Sequence, residues 1–147
     1  VLSQHSSVLS QQLQSQWREP DRNGVFPESG LLKSWPENGP ELLWMNDGLD
    51  RGLSSVSATD TEIFVTGLED SIEYLTALDL DGDQLWRLPY GHGGKTSYPD
   101  SRCTPTVEED HIYLISGRGE VVSVNRSEKK FEWGGPAFEK YQGKHWI

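Results

Sequence analysis

Cysteine, long hydrophobic runs and basic residues are all scarce in this sequence. Cys103 is the only cysteine, which excludes a disulfide within the chain and leaves the redox compartment open. The longest apolar runs, residues 63–65 and 112–115, are far shorter than the roughly 18 residues that a membrane-spanning helix needs. We therefore expect no membrane span.

Basic residues are outnumbered by acidic ones. Lys and Arg together number 13 against 23 Asp and Glu, which gives a formal net charge of −10. An acidic surface repels phosphate groups, so the charge balance argues against nucleic acid and anionic membranes as partners. The chain begins with Val1 and not with Met, which predicts a processed or truncated product, and a secretory signal is one candidate for the missing part.

Short runs of β-forming residues, separated by turn residues, fill most of the chain after residue 40. Before that point, residues 17–40 contain four prolines and three glycines, too many for regular structure. Runs of about five residues with turns between them are typical of antiparallel all-β proteins. The strand-like runs are residues 42–44, 54–58, 62–66, 74–80, 84–88, 104–107, 111–116, 120–125 and 130–133.

Three aspartates stand at alternate positions in "LTALDLDGDQLW", residues 75–86, as they would in a calcium loop. Counted from Asp79, an EF-hand loop needs Gly at its sixth position and Glu at its twelfth, which are Gln84 and Tyr90 here. The similar stretch "VVSVNRSEKKFEW", residues 121–133, has Arg and Lys in its turn and cannot hold calcium. Because the pattern recurs without the ligands, we interpret both stretches as turns between strands and predict no metal site.

The two stretches belong to a longer internal repeat. One unit spans residues 54–86 and the next spans residues 103–133, and their last residues, Trp86 and Trp133, are 47 positions apart. Trp44 precedes Trp86 by 42 positions and ends the shorter stretch "PELLW". Periods of 40–50 residues with four strands each are typical of β-propeller blades. We therefore predict that Trp44, Trp86 and Trp133 are structural residues of the repeat, packed between adjacent blades.

The predicted fold is all-β, a partial β-propeller of about two four-stranded antiparallel blades plus an N-terminal closing strand at residues 42–44. The blades are predicted at residues 52–90 and, with a preceding loop, at residues 91–135. The other parts are a flexible leader (residues 1–16), an irregular segment that includes the closing strand (residues 17–51) and the start of a next blade (residues 136–147).

The repeat resembles that of the pyrroloquinoline-quinone-like (quinoprotein dehydrogenase-like) β-propellers. "ALDLDGDQLW" and "SVNRSEKKFEW" are similar to the family's "A-x-D-x-x-T-G-x-x-x-W" repeat, and "WREPDRNGVFPESGLLKSWPENGPELLW" is similar to the "W-R-G-P-x-R-x-G" segment of a secreted bacterial branch. The resemblance covers residues 17–147. Glu19 departs from the pattern where the family has Gly, and Asn125 with Glu128 replaces the usual Asp and turn Gly of the second repeat.

The resemblance implies a periplasmic or secreted bacterial protein with more blades than this chain holds. A two-blade piece leaves an apolar blade face uncovered at each end. We therefore expect the remaining blades, or self-association, to cover those faces.

Two functions from different classes fit the resemblance. One is a non-catalytic scaffold that binds a protein or a small-molecule ligand, and the other is part of a quinone-dependent alcohol dehydrogenase. The second implies pyrroloquinoline quinone (PQQ) stacked on a Trp, calcium held by carboxylate and amide, an Asp base and often a vicinal Cys pair. This chain has one Cys and no calcium constellation, so we favour the scaffold, with no catalytic residue and no cofactor here. In the alternative, PQQ and calcium belong to blades outside this chain.

The segment "YPDSRCTPT", residues 98–106, is the candidate binding site. We expect it to cross one end of the propeller and to enter the innermost strand of the second blade, beside the central channel. Arg102 comes directly ahead of that strand, and Tyr98 and Asp100 are close to it, so these three are the predicted ligand-binding residues. The alternative is that Arg102 forms an ion pair with Asp100 and only fixes the loop.

Overall fold

The computed structural model describes residues 14–19, 21–26, 29–95 and 98–136. Its regular structure consists of eight β-strands in two four-stranded antiparallel sheets. The prediction of an all-β chain with two four-stranded antiparallel sheets is confirmed. No helix long and apolar enough to cross a membrane occurs in the part of the chain that is described.

The first sheet is a meander in which each strand pairs with the next. Between its second and third strands the chain turns at Asp70, whose φ of 54° lies in the left-handed region that Asp tolerates better than most residues. The strands are β1 (Ser57–Ala58), β2 (Ile63–Glu69), β3 (Ile72–Leu78) and β4 (Gln84–His92).

The second sheet repeats this order. The first strand of this sheet lies beside the first strand of the other sheet, as the innermost strands of neighbouring blades do. The strands are β5 (Thr106–Glu108), β6 (His111–Ile115), β7 (Glu120–Asn125) and β8 (Lys130–Pro136).

The hydrophobic core lies between the two sheets. Apolar residues alternate along each strand, so each sheet turns one apolar face toward the other. The buried core residues are Phe64, Leu75, Ala77 and Tyr90 from the first sheet and Val107, Ile112, Leu114, Val122 and Val124 from the second.

The strand registers show that the two sheets are copies of one unit. In the first sheet Phe64 lies opposite Ala77, and Ala77 lies opposite Trp86. In the second sheet the same row reads Tyr113, Ser123 and Trp133. A register shift follows Ala77 in one row and Ser123 in the other. Trp86 and Trp133 therefore occupy equivalent positions.

The two tryptophans differ in what covers them. Trp86 faces the second sheet and packs at 5.9 Å, between ring centroids, from Phe64 in the core. Trp133 packs in the same tilted way against Tyr113, at 6.4 Å, but on the face of the second sheet that points away from the first. Its side chain is 52% exposed.

The closing strand predicted at residues 42–44 is not formed, since residues 41–50 contain no strand. Strand pairing needs the edge of another strand, and Trp44 instead lies on the turn between β3 and β4. Its indole N–H donates to the carbonyl of Leu80 at 3.0 Å. A Cβ at Gly82 would lie 2.6 Å from the Trp44 ring, and the Gly82 φ is 89°, so both packing and backbone require glycine there.

The aspartate-rich turn is held by its first aspartate. Asp79 Oδ1 accepts hydrogen bonds from the backbone N–H of Asp81 at 3.0 Å and of Asp83 at 2.8 Å. In the second sheet Asn125 Oδ1 accepts in the same way from the backbone N–H of Glu128 at 2.7 Å. These acidic and amide residues are turn formers, as the recurrence in the sequence indicates.

Most of the predicted leader, and the predicted start of a next blade from residue 137 onward, lie outside the described residues. The described end of the leader is bound to the inner strands. The Gln14 carbonyl accepts from the backbone N–H of Ala58 at 2.8 Å, and the Ser15 carbonyl accepts from that of Val107 at 2.7 Å. This segment therefore connects the first strands of both sheets.

Candidate functional site

A cleft opens between the two sheets at the end where β4 leaves the first sheet. The turn between β6 and β7 and the connection from β4 to β5 form its walls. We call it the inter-sheet cleft. Its volume is about 320 Å³, and its lining includes Glu73, Tyr98, Asp100, Arg102, Cys103 and Gly117.

The connection from β4 to β5 is fixed beside the segment that leads into β1. Gly52 and Ser101 form a parallel bridge, and the Ser101 carbonyl accepts from the backbone N–H of Leu53 at 2.7 Å. Further along, the Thr104 hydroxyl accepts from the backbone N–H of Ser55 at 3.1 Å. The two chain segments that enter the innermost strands thus run side by side, which fixes one wall of the cleft.

The three predicted binding residues are brought together at the cleft. Arg102 Nη2 donates to the backbone carbonyl of Tyr98 at 2.6 Å, and both side chains are exposed. Asp100 Oδ1 lies 3.6 Å from Arg51 Nε, which makes an ion pair. Arg102 therefore contacts Tyr98, and Asp100 contacts Arg51. The ion pair between Arg102 and Asp100, which was the alternative prediction, is not formed between these described residues.

A buried chain of hydroxyl groups leads to Cys103, which lines the cleft. The Tyr90 hydroxyl lies 3.0 Å from Ser101 Oγ, which donates to Thr66 Oγ1 at 3.0 Å. Thr66 Oγ1 donates in turn to the carbonyl of Cys103 at 2.7 Å. Because all of these groups are buried and bonded, the network fixes the β4–β5 connection against the first sheet.

Glu73 is the buried acid of the site, with only 1% of its surface exposed. Its Oε2 accepts a hydrogen bond of 2.7 Å from the backbone N–H of Gly117. Burial raises the pKa of Glu73, and the negative charge of Glu120 adds to the rise. The hydrogen bonds from Gly117, Tyr90 and Ser101 act in the opposite direction on the same pKa, and burial outweighs them.

Gly117 lets the two walls of the cleft meet. A Cβ at this position would lie 2.3 Å from the backbone nitrogen of Gly94. Any side chain would force the β6–β7 turn away from the β4–β5 connection. The hydrogen bond from Gly117 to Glu73 depends on this close approach.

Cys103 lines the cleft but is not arranged as a nucleophile. Its Sγ accepts a hydrogen bond from the backbone N–H of Ile115 at 3.1 Å. Burial raises the pKa of the Cys103 thiol, and the nearby Glu73 adds to the rise. The reactive thiolate is therefore disfavoured at neutral pH.

The buried acid was not singled out from the sequence, although its position carried a signal. Glu73 has the same strand phase as the core residues Leu75 and Ala77, so the alternation of β3 places a carboxyl group on a buried face. A charge at a core position needs partners. Those partners come from Tyr90, Ser101 and Gly117, which are distant in sequence, so only the fold reveals the cluster.

A comparison with protein-family models gives no match for this chain, and a search of curated proteins gives none either.

Proposed function

We propose that this chain is part of an extracytoplasmic, bacterial β-propeller of the PQQ-like repeat family, which binds a protein or small-molecule ligand at the inter-sheet cleft and carries out no reaction within these residues. The support for the propeller is the equivalence of the two sheets, down to the row that ends in Trp86 and Trp133. The sequence resemblance supports the family and the location.

The single observation that supports binding is the arrangement of the cleft itself. The cleft lining contains the buried Glu73 carboxyl group and two exposed side chains, Tyr98 and Arg102, and the buried hydroxyl network fixes the adjoining β4–β5 connection. The volume of about 320 Å³ lies at the lower end of the range for small-molecule sites. A rigid lining that carries adaptable polar side chains is suited to recognition, because the rigid part loses little entropy on binding.

The state of the buried hydroxyl groups and of the Cys103 thiol favours binding over catalysis. The candidate nucleophiles are the hydroxyl oxygens of Ser101 and Thr66 and the sulfur of Cys103. Each of these atoms is engaged in a hydrogen bond with another of these side chains or with the backbone. The pKa of the Tyr90 hydroxyl is raised by burial, as is that of the Cys103 thiol, so neither group ionises readily. Because these groups stay neutral and hydrogen-bonded, their role is to stabilise the conformation of the cleft.

A fragment screen followed by NMR tests the binding site. We expect the shifts that fragments cause to concentrate on the residues of the inter-sheet cleft, and Arg102→Ala to weaken those fragments at least about tenfold if a charge-assisted hydrogen bond is lost. Lys130→Ala is the matched control, since Lys130 is an exposed cation at the far end of the second sheet, paired with Glu128. Shifts spread evenly over the surface, or an equal effect of the two variants, would contradict the proposal.

The dehydrogenase alternative is tested separately. The protein is incubated with PQQ and calcium, and dye-coupled oxidation of primary alcohols is measured. Turnover above that of PQQ and calcium without protein would overturn the non-catalytic part of the proposal and leave the propeller part standing.

A further inference from the structure

One pair of equivalent positions, near the outer edges of the two sheets, carries residues of different size and charge. After each repeat tryptophan the strand continues as Trp-x-x-Pro, with Arg87-Leu88 in β4 and Gly134-Gly135 in β8. Arg87 pairs with Thr76, and Gly134 pairs with Val122, so the two positions are equivalent in register. Both lie on the face that points toward the preceding layer of the structure. The second sheet thus has a glycine where the first has an arginine.

In the first sheet the arginine fills its own position. The Arg87 guanidinium lies 3.3 Å above the centroid of the Tyr74 ring. Its Nη2 makes ion pairs with Asp50 at 2.7 Å and with Glu69 at 2.9 Å. Stacking on an aromatic face and pairing with carboxylates are the two interactions that guanidinium groups favour.

In the second sheet the equivalent position is a cavity. It has a volume of about 360 Å³ and lies between β4 of the first sheet and β7 and β8 of the second. We call it the guanidinium pocket. Its apolar wall includes Ile72, Pro89, Val122 and Phe131, and its charged or titratable groups are Glu120, His92 and Tyr90.

The acid of this pocket stands where the aromatic ring stands in the first sheet. Tyr74 lies opposite Pro89, and Glu120 lies opposite Pro136, so Tyr74 and Glu120 are equivalent. Glu120 Oε2 accepts a hydrogen bond from Ser116 Oγ at 3.0 Å, which fixes the carboxylate at the rim of the cavity. An apolar wall with one carboxylate is complementary to a cation on an apolar stem.

We propose that the guanidinium pocket binds the arginine side chain of a protein partner, with the guanidinium on Glu120 and the alkyl stem along the apolar wall. The pocket takes from another chain the group that the first sheet supplies from Arg87. The described lining contains no Lys or Arg that would receive the α-carboxylate of free arginine, so the pocket fits an arginine within a peptide. The pocket shares no lining residue with the inter-sheet cleft of the proposed function, and each is tested with its own probe and its own variants.

The probe is N-acetyl-arginine methylamide, titrated into the full chain and followed by NMR. We expect saturable shifts at Gly134, Gly135, Val122 and Glu120. The matched probe is N-acetyl-citrulline methylamide, which has the same shape without the charge. It should bind at least about tenfold more weakly, because a charge-assisted hydrogen bond becomes a neutral one.

Two variants locate the site. Glu120→Gln keeps the size of the side chain and removes its charge, and it should weaken the arginine probe at least about tenfold. Gly134→Arg supplies the missing side chain internally and should abolish probe binding. A Cβ at Gly134 would lie 3.0 Å from the half-exposed Phe131 ring and 3.2 Å from the backbone carbonyl oxygen of Val121, so this variant needs a shift of a few tenths of an ångström in both. Glu41→Gln is the control, since Glu41 is an exposed acid that does not line the pocket.

Three results would overturn the proposal: no saturable binding at millimolar probe, equal binding of the citrulline probe, or unchanged binding in Glu120→Gln. If Gly134→Arg folds poorly, the probe pair and the Gln variant still decide the question. Tighter binding of free arginine than of the capped probe would contradict a peptide as the source.

Discussion

At the scale of single residues, Glu19 occupies a backbone conformation that suits glycine better. Its φ is 68°, in the left-handed region, and only 3% of its surface is exposed. Its Oε2 is buried and has no hydrogen-bond partner among the described residues. The propellers that the sequence resembles have Gly at this position, and the left-handed φ gives a physical reason for that preference.

Replacing Glu19 by Gly should therefore stabilise the fold. Relief of the backbone strain and removal of an unpaired buried carboxylate should together add about 1–2 kcal/mol to the free energy of unfolding, after the entropy cost of glycine. Chemical denaturation measures the change. Glu41→Gly is the control, because Glu41 is exposed and outside the left-handed region, and it should lower stability slightly. Equal effects of the two variants would contradict this account of Glu19.

The buried Glu73 should make stability depend on pH. Its folded pKa is raised above the ordinary value of 4.5, so the folded state holds the proton more tightly than the unfolded state does. The stability that this group contributes is fully present below pH 4.5 and is lost as the pH rises through the folded pKa.

Glu73→Gln should remove this loss, since the amide stays neutral and keeps an oxygen for the N–H of Gly117. Unfolding free energies measured from pH 4 to pH 8 should show the variant gaining on the native chain as the pH rises. A difference that stays constant with pH would show that the pKa of Glu73 is the same in the folded and unfolded states, and would contradict the raised folded pKa.

At the scale of strands, the sequence predicted the number and type of elements better than their ends. β7 has the predicted bounds, because its run of apolar and polar residues is flanked by clear turn residues. β4 extends past Pro89 to His92, and β8 extends to Pro136, whereas the sequence pattern ended these strands at residues 88 and 133. Both are edge strands, where a missing N–H faces away from the ladder, and a register shift in β4 accommodates Pro89 next to Tyr74. Whether a strand lies at the edge depends on the whole sheet, so the amino-acid sequence of the strand alone does not show it.

The segment around Trp44 shows a second limit of the same kind. Its apolar run was predicted to be a strand, yet a strand is defined by its partner. Within the described residues, the backbone of residues 42–44 has no strand to pair with, so packing of one indole on the Gly82 turn decides its position. For the candidate site, sequence order was enough to bring Tyr98, Asp100 and Arg102 to one cleft. It was not enough to find Glu73, whose partners lie on three other segments.

The equivalent tryptophans provide a test of the packing between sheets. Trp86 packs against the core with Phe64, so Trp86→Ala should lower the free energy of unfolding by about 3–4 kcal/mol. Trp133 has the same register but is half-exposed, so Trp133→Ala should cost less than about 1 kcal/mol. Denaturant titration of both variants measures the difference. Equal costs would mean that the outer face of the second sheet is covered in solution.

At the scale of the whole molecule, the two faces of the structure are unequally protected. The face of the first sheet that points away from the second is covered by residues 44–51, through Asp50 on Arg87 and the bridge between Arg51 and Leu68. The outer face of the second sheet has no such cover among the described residues. Ile115 and Trp133 are 55% and 52% exposed there. Apolar exposure of this kind on a sheet marks an interaction surface.

We therefore expect the chain to self-associate through the outer face of the second sheet. Sizing chromatography with light scattering should give a mass above 16.6 kDa that rises with concentration. Trp133→Lys places a charge at the centre of that face and should shift the distribution toward monomer. Leu43→Lys is the matched control, since Leu43 is 82% exposed but lies in the segment before the first sheet, and it should leave the distribution unchanged. A compact monomer at all concentrations would mean that the exposed face needs no cover, and it would count against a propeller whose next blade packs on Trp133.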